Sequence, residues 1–267
     1  MNEDARILDV LEGLAARASA VVLQAYAGDI RAEYKSPGDP VTEVDRRVNE
    51  LLVQALMRDF PGVPIVAEES DAATFAGRAQ GDAFFVDPID GTREFIAKNG
   101  EFCVMIGLAR GGRAALGVID CPATGRVIAG SATAGSFERA KDGSRAALHA
   151  SVPTGAMTVA VSRSRFGART REALAKLGEV IPRAVGSAGI KTMLVCTGEA
   201  HAYVHLGRAG CLWDACAGDA IAQGAGAVLT SGTGAPIDYR DGPLELTGGV
   251  IVAEAGVHAS ILARLGD

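Results

Sequence analysis

The strongest constraint on this chain is the stretch "VDPIDGT" at 86–92, which closes the apolar run "DAFFV" with two carboxylates on either side of a proline. Carboxylates placed at the end of a buried strand repel one another and lose hydration, so the fold must compensate them. Pro88 fixes its own φ and pushes Asp87 toward extended backbone, which predicts a sharp turn. Asp87, Asp90 and the carbonyl of Ile89 then face one point. Gly91 frees the backbone for close approach to a ligand, and Thr92 opens a predicted helix through "REFIAK" whose amides attract an anion.

Other acids occupy comparable positions. Asp39 and Asp45 surround the start of a predicted helix, Glu68 and Glu69 follow the run "VPIVA", and Asp214 opens a late helix. Each alone has a plain structural explanation as a turn residue, an N-cap partner of Thr42 or a first-turn helix acid. Together they read as hard oxygen donors for a cation such as Mg²⁺. The formal net charge of −6 argues against binding a nucleic-acid backbone, which needs a basic face. An anionic ligand must instead be held locally, by ions among the carboxylates that reverse the local sign.

The 267 residues suit one large or two closely joined domains with an ample core. Apolar residues at helical spacing predict helices over 5–27 and from Thr42 to Arg58. "VPIVAEES" and "DAFFVDP" read as short buried strands, followed by an antiparallel meander with turns at Gly111-Gly112 and Thr124-Gly125. A Gly-, Ser- and Ala-rich stretch then predicts a junction, dividing an α+β unit at 1–150 from an α/β unit at 151–267. In the second unit, strands "MTVAVSRS", "HAYVHL" and "GAVLTS" alternate with helices at 168–178, 188–199 and 213–224. No basic-apolar leader opens the chain and no apolar run reaches the roughly 18 residues of a membrane span, so a cytoplasmic protein is expected. The five cysteines form no C-x-x-C pair and read as small core residues. His149, His201, His205 and His258 show no ligand spacing.

Four segments carry a family resemblance: "GDPVTEVD" at 38–45, "AEES" at 67–70, "DPIDGT" at 87–92 and "WDACAGDAI" at 213–221. In this order, and spread over nearly the whole chain, they resemble the signatures of the magnesium-dependent, lithium-sensitive inositol monophosphatase superfamily. That resemblance implies a layered αβαβα sandwich. It also implies that Glu68, Asp87 and the Ile89 carbonyl hold one magnesium ion and Asp87, Asp90 and Asp214 a second. Glu68 would help with a third, and Mn²⁺ could substitute. Asp45 and Thr92 would take a proton from the attacking water, while the amides of Gly91 and Thr92 hold phosphate oxygens.

The run "REFIAKNGEF" and the later "SAGIKTMLVCTGEAHAYVH" resemble the 3′(2′),5′-bisphosphate nucleotidase branch. The resemblance implies a phosphomonoesterase that converts adenosine 3′,5′-bisphosphate to AMP, a reaction linked to sulfate assimilation. Ser162, Ser164, Ser187 and Lys191 would then contact the second phosphate or the ribose. By position alone Lys191 reads as a solvated charge on a helix face, Lys35 is ambiguous, and Trp213 is a packing anchor. The run Ala217-Gly218-Asp219 is closer to inositol phosphatases, so an inositol monophosphatase or a broad sugar-phosphate phosphatase is the alternative. A noncatalytic protein keeping the fold is disfavoured because none of Glu68, Asp87, Asp90, Thr92 and Asp214 is missing. The partner is a small phosphate ester; the oligomeric state stays open, with a homodimer among the options.

Overall fold

The computed structural model describes residues 3–36, 38–71, 77–78, 81–140 and 142–266. In chain order the first half supplies α1 (Glu3–Tyr26), β1 (Ala32–Ser36), β2 (Asp39–Thr42), α2 (Glu43–Asp59), β3 (Ile65–Ala67), β4 (Ala83–Asp90) and α3 (Thr92–Ile96). The meander follows as β5 (Cys103–Arg110), β6 (Arg113–Cys121), β7 (Arg126–Ser131), β8 (Gly135–Arg139) and β9 (Arg145–Ala147). Then come β10 (Met157–Ser162), α4 (Ala168–Lys176), β11 (Val180–Val185), α5 (Ala188–Cys196), β12 (Ala202–His205) and α6 (Trp213–Gly224). The chain finishes with β13 (Ala227–Ser231), β14 (Val250–Glu254) and α7 (Ala255–Gly266).

These elements stack in five layers. Helices α1 and α2 cover one face of a seven-stranded sheet ordered β3-β4-β5-β6-β7-β8-β9, burying Leu11, Leu14, Leu52 and Leu56 against Phe84, Ile106 and Val118. Helices α5 and α6 fill the space between that sheet and a five-stranded sheet ordered β11-β10-β12-β14-β13. Helices α4 and α7 close the far side of the second sheet, through Leu174, Leu177, Val257 and Ile261. This is the αβαβα sandwich.

The central helix α6 sits very close to the first sheet. A Cβ on Gly107 would lie 2.6 Å from the Ala217 amide nitrogen, and one on Gly117 would collide with the Ala217 carbonyl. Only glycine on β5 and β6 allows this approach, which brings the N-terminus of α6 up to the end of β4. Burial of α5 and α6 between two sheets also explains their composition, since a helix enclosed all round has no polar face to expose. Among the described residues, no helix is long and apolar enough to cross a membrane.

Several details differ from the sequence reading. The first sheet is not purely antiparallel, because β3 pairs in parallel with β4 before the antiparallel meander begins. The stretch expected to be a loose junction contributes β8 and β9. Strands β1 and β2 form an unexpected antiparallel pair ahead of α2. Four cysteines are buried and Cys211 is half-buried, all as free thiols. Trp213 packs partly buried against the central core, as a packing anchor should.

Candidate active site

The segment Asp87–Asp90 forms a β-bulge rather than a sharp turn. Asp87 pairs with Met105 and Asp90 with Cys103, so three steps along β4 match two along β5. In a regular strand, residues three apart point to opposite faces. The extra residue cancels that alternation and turns both carboxylates the same way. Pro88 fits here because a bulge leaves a position free of the ladder, where a missing N–H costs nothing.

The parallel register of Ala67 with Val86 puts Glu68, the next residue after β3, beside Asp87. Asp214, in the first turn of α6, arrives from the opposite side. One carboxylate oxygen from each of Asp87, Asp90 and Asp214 lies within 4.8 Å of the others. Glu68 stands at the rim of that triad and accepts a bond from Lys35 Nζ at 2.9 Å, while Glu69 accepts another from the same ammonium at 2.7 Å. Lys35 therefore belongs to the site and is not a stray surface charge.

Electrostatics show how poorly this cluster is compensated. Burial pushes the Asp214 carboxyl up to about 8, and the charges of Asp90 and Glu68 add to the shift. Burial raises Glu68 to about 7, with Lys35 opposing and Glu69 reinforcing. Asp87 is held well above the usual carboxylate range by burial and then by Glu68, Asp90 and Asp214. Burial works against the charge on Lys35, but Glu68 and Glu69 outweigh it and keep its pKa above the ordinary lysine value. Buried oxygen donors that resist ionising together are suited to hard divalent cations, and the donor set fits Mg²⁺ or Mn²⁺.

The neighbouring corner is built differently. Asp45 is the third residue of the capping box at the start of α2: its Oδ2 accepts from the Thr42 amide at 2.9 Å and the Thr42 hydroxyl at 2.5 Å. That leaves Oδ1 for the Thr92 hydroxyl, which donates to it at 3.1 Å and lies 3.2 Å from the Ile89 carbonyl oxygen. The capping role and the pairing with Thr92 coexist on different oxygens. Asp45 is fully buried, and burial raises its pKa while the bonds from Thr42 oppose the rise. Gly91 precedes Thr92 with φ of 96°, and a Cβ there would meet the Glu101 carbonyl at 2.8 Å. Both facts require glycine.

The remaining candidates meet at the same cleft, which Glu68, Asp87, Ile89, Asp90, Gly91, Thr92, Ser162, Ser164, Ser187, Lys191 and Asp214 all line. Two of them are already committed within the protein. The Ser187 hydroxyl donates to Asp90 Oδ2 at 2.5 Å and accepts from the Ile190 amide at 3.0 Å. It does so from a strained backbone with φ of 58°, a cost that the Asp90 contact and the helix cap offset. Lys191 is not a solvated charge: it is 4% exposed, its Nζ donates to the Ser187 carbonyl, and it sits 5.1 Å from the Tyr203 ring centre. Burial lowers its pKa while Asp90, Glu94 and Asp214 resist. The side chain of Asp39 lies outside the described residues.

The cleft residues that sequence reasoning missed include five with polar or ionisable side chains: Arg93, Glu94, Arg165, Tyr203 and His205. Arg93 and Glu94 directly follow Thr92, so the short α3 that carries the motif could have flagged them. His205 had been given no role because it lacks ligand spacing; its Nε2 is 3.0 Å from the Arg208 carbonyl oxygen, and burial lowers its pKa. By contrast, Asp219 does not line the cleft. It accepts from Tyr239 Oη at 3.0 Å and Gln223 Nε2 at 2.9 Å, deep between α6 and the region before β14.

The model of the inositol monophosphatase family matches residues 3–265. The chain belongs to that family. As a member of that family the chain is a phosphatase. It is 33% identical over 235 residues to the 3′(2′),5′-bisphosphate nucleotidase CysQ of Escherichia coli K12, covering 87% of this chain and 94% of that protein. The crystal structure of CysQ from Bacteroides thetaiotaomicron superposes with a TM-score of 0.79 at 26% identity, over 94% of this chain and 98% of that one. The suhB extragenic suppressor protein of Bartonella henselae gives a TM-score of 0.83 at 22% identity, covering 97% and 98% of the two chains, and shows the shared fold.

Proposed function

We propose that the protein is a magnesium-dependent phosphomonoesterase that removes the 3′-phosphate of adenosine 3′,5′-bisphosphate and leaves AMP. The observation that carries the reading is the convergence of Asp87, Asp90 and Asp214 beside a preorganised Thr92–Asp45 pair in one cleft. Glu68, Asp87, the Ile89 carbonyl, Asp90 and Asp214 are the residues that would hold two or three divalent ions. When bound, such ions acidify water and offset charge on the phosphate oxygens.

The chain's own groups supply the rest. The Thr92 hydroxyl donates to Asp45 Oδ1 and keeps its lone pairs for a water on the cleft side; as Oγ1 takes that water's proton, the threonine's own proton passes to the Asp45 carboxylate. Asp45 is fixed through Oδ2, so the acceptor cannot swing away as charge develops. The Gly91 and Thr92 amides would bond phosphate oxygens. Seating of the ester between these groups orients it for displacement by water, with no covalent phospho-enzyme.

The nucleotide substrate is favoured by the similarity to bisphosphate nucleotidases over most of the chain. The run Ala217-Gly218-Asp219, which spoke for an inositol phosphate, serves helix packing: Ala217 meets the first sheet, Gly218 lies against Thr192, and Asp219 faces Tyr239. It carries little weight on substrate choice. With magnesium, the purified protein should release phosphate from adenosine 3′,5′-bisphosphate far faster than from inositol 1-phosphate; the reverse ranking rejects the substrate.

A further inference from the structure

The basic side chains around the cleft fall into two groups. Lys35 is ion-paired with Glu68 and Glu69, and Lys191 is buried with its ammonium on the Ser187 carbonyl. Arg163 is locked to Glu101 through Nε at 2.9 Å and Nη2 at 2.5 Å, with a further bond to the Ala184 carbonyl at 2.9 Å. These three cations are neutralised or tied down by the protein itself.

Arg165 is not, and Arg93 is held only by a backbone carbonyl. Both line the cleft with Asp87, Asp90 and Thr92, and among the described residues neither guanidinium has a carboxylate partner. Arg93 donates to the Gly38 carbonyl, a neutral acceptor that leaves its charge uncompensated. The Arg165 guanidinium makes no hydrogen bond among the described residues. Its backbone is nonetheless fixed, since the Arg165 amide donates to Ser162 Oγ at 3.1 Å in the turn that leaves β10. Its charge reaches the cleft floor, where it opposes the upward shift of Asp214. In a chain of net charge −6, an Arg165 guanidinium without a partner among the described residues, beside an Arg93 that meets only a neutral carbonyl, invites an anion. Arginine also has the planar donor fork that matches phosphate.

We infer that Arg165, assisted by Arg93, receives a second anionic group of the substrate, a phosphate remote from the one that is cleaved. The assignment rests on the phosphatase reading above and deepens it. Ser187 and Lys191 have hydrogen-bonding groups turned toward Asp90 and the protein backbone, whereas the arginines have donors to spare. The cleft would then distinguish bisphosphates from monoesters by a contact made in both ground and transition states, so its loss should appear mainly in KM.

The test compares Arg165→Gln, Arg93→Gln and the control Arg169→Gln, which alters an exposed arginine of α4 outside the cleft. Two substrate pairs are used: adenosine 3′,5′-bisphosphate with adenosine 3′-phosphate, and inositol 1,4-bisphosphate with inositol 1-phosphate. Calorimetric affinities for AMP and adenosine give a readout independent of turnover, because AMP keeps only the second phosphate. Loss of one charge-assisted phosphate contact should lower the bisphosphate-to-monoester ratio of kcat/KM by about 10- to 100-fold in Arg165→Gln, with a smaller drop in Arg93→Gln. AMP should lose its advantage over adenosine in parallel, and Arg169→Gln should keep both ratios. If the ratio falls only for the inositol pair, the nucleotide substrate is wrong and the second-phosphate site stands. If the wild type favours the nucleotide bisphosphate and both cleft variants keep that preference, the nucleotidase reading survives and the arginine assignment is overturned. A wild type indifferent to the second phosphate in both pairs overturns it too.

Discussion

Two adjoining corners of the cleft are built on opposite electrostatic principles. At the Asp45–Thr92 corner every oxygen has a donor: Thr42 serves one side of the carboxylate and Thr92 the other. At the Asp87–Asp90–Asp214 corner the carboxylates face each other, while Lys35 is shared between Glu68 and Glu69 at the rim and the Lys191 ammonium is held on the Ser187 carbonyl. The first corner is finished when the chain folds. The second stores charge that folding alone does not balance, and it is the part of the site that calls for divalent cations. A site can thus be rigid where it handles a proton and electrostatically incomplete where it takes up ions.

The sharpest way to break this contrast is to remove charge from the incomplete corner. Asp90→Asn keeps an oxygen acceptor for Ser187 and the Gly189 amide but deletes a negative ligand. Turnover should fall by about 1,000-fold or more, the equivalent of several kcal/mol of transition-state stabilisation, with an unchanged circular dichroism spectrum. Retained activity would remove Asp90 from the machinery. At the finished corner, Thr92→Ala should lower kcat by roughly 100- to 10,000-fold while KM moves little, as expected when a positioned proton acceptor is lost. A change confined to KM would instead make Thr92 a binding residue.

The third expectation concerns pH in the absence of metal. The folded pKa values of Glu68, at about 7, and Asp214, at about 8, lie above their unfolded values. Their contribution to stability is therefore fully present below about pH 4 and is lost as pH rises through 7 to 8. Melting of chelator-treated protein should drop by about 5 °C or more over that window, and millimolar magnesium should restore most of it. Asp214→Asn should flatten the slope. A metal-free melting temperature that climbs from pH 5 to pH 8 would contradict the picture of uncompensated acids.

The smallest effect belongs to Asp219, whose pKa burial raises to about 6 although Gln223 and Tyr239 oppose it. Asp219→Asn should change stability by about 1 kcal/mol or less at neutral pH and leave the ranking of phosphate esters as it was. A switch in ranking toward inositol phosphate would return the Ala217-Gly218-Asp219 run to the list of substrate determinants.

Much of this site could be read from residue order. The spacing of Asp87, Asp90, Gly91 and Thr92 pointed to one locus, and α6 was placed at its observed bounds, 213–224. What could not be read depends on neighbours distant in sequence. Asp87 and Asp90 share a face because of a bulge, and a bulge is defined by the register of β5, not by "DPID" itself. Lys191 looked solvated because a helix normally keeps one wet face, but α5 lies between two sheets and has none. Strand β11 carries Pro182 and exposed side chains, which is the signature of an edge strand and easily passes for a loop. Ser187 looked free for a ligand because nothing in its local sequence shows that Asp90, 97 residues earlier, accepts its proton.

The most direct test is anomalous diffraction from crystals soaked in manganese. The predicted result is strong peaks among the carboxylates of Asp87, Asp90 and Asp214, with Glu68 and the Ile89 carbonyl drawn into the coordination shell. A pocket without anomalous density at saturating manganese, with those carboxylates protonated and bonded to one another, would contradict it.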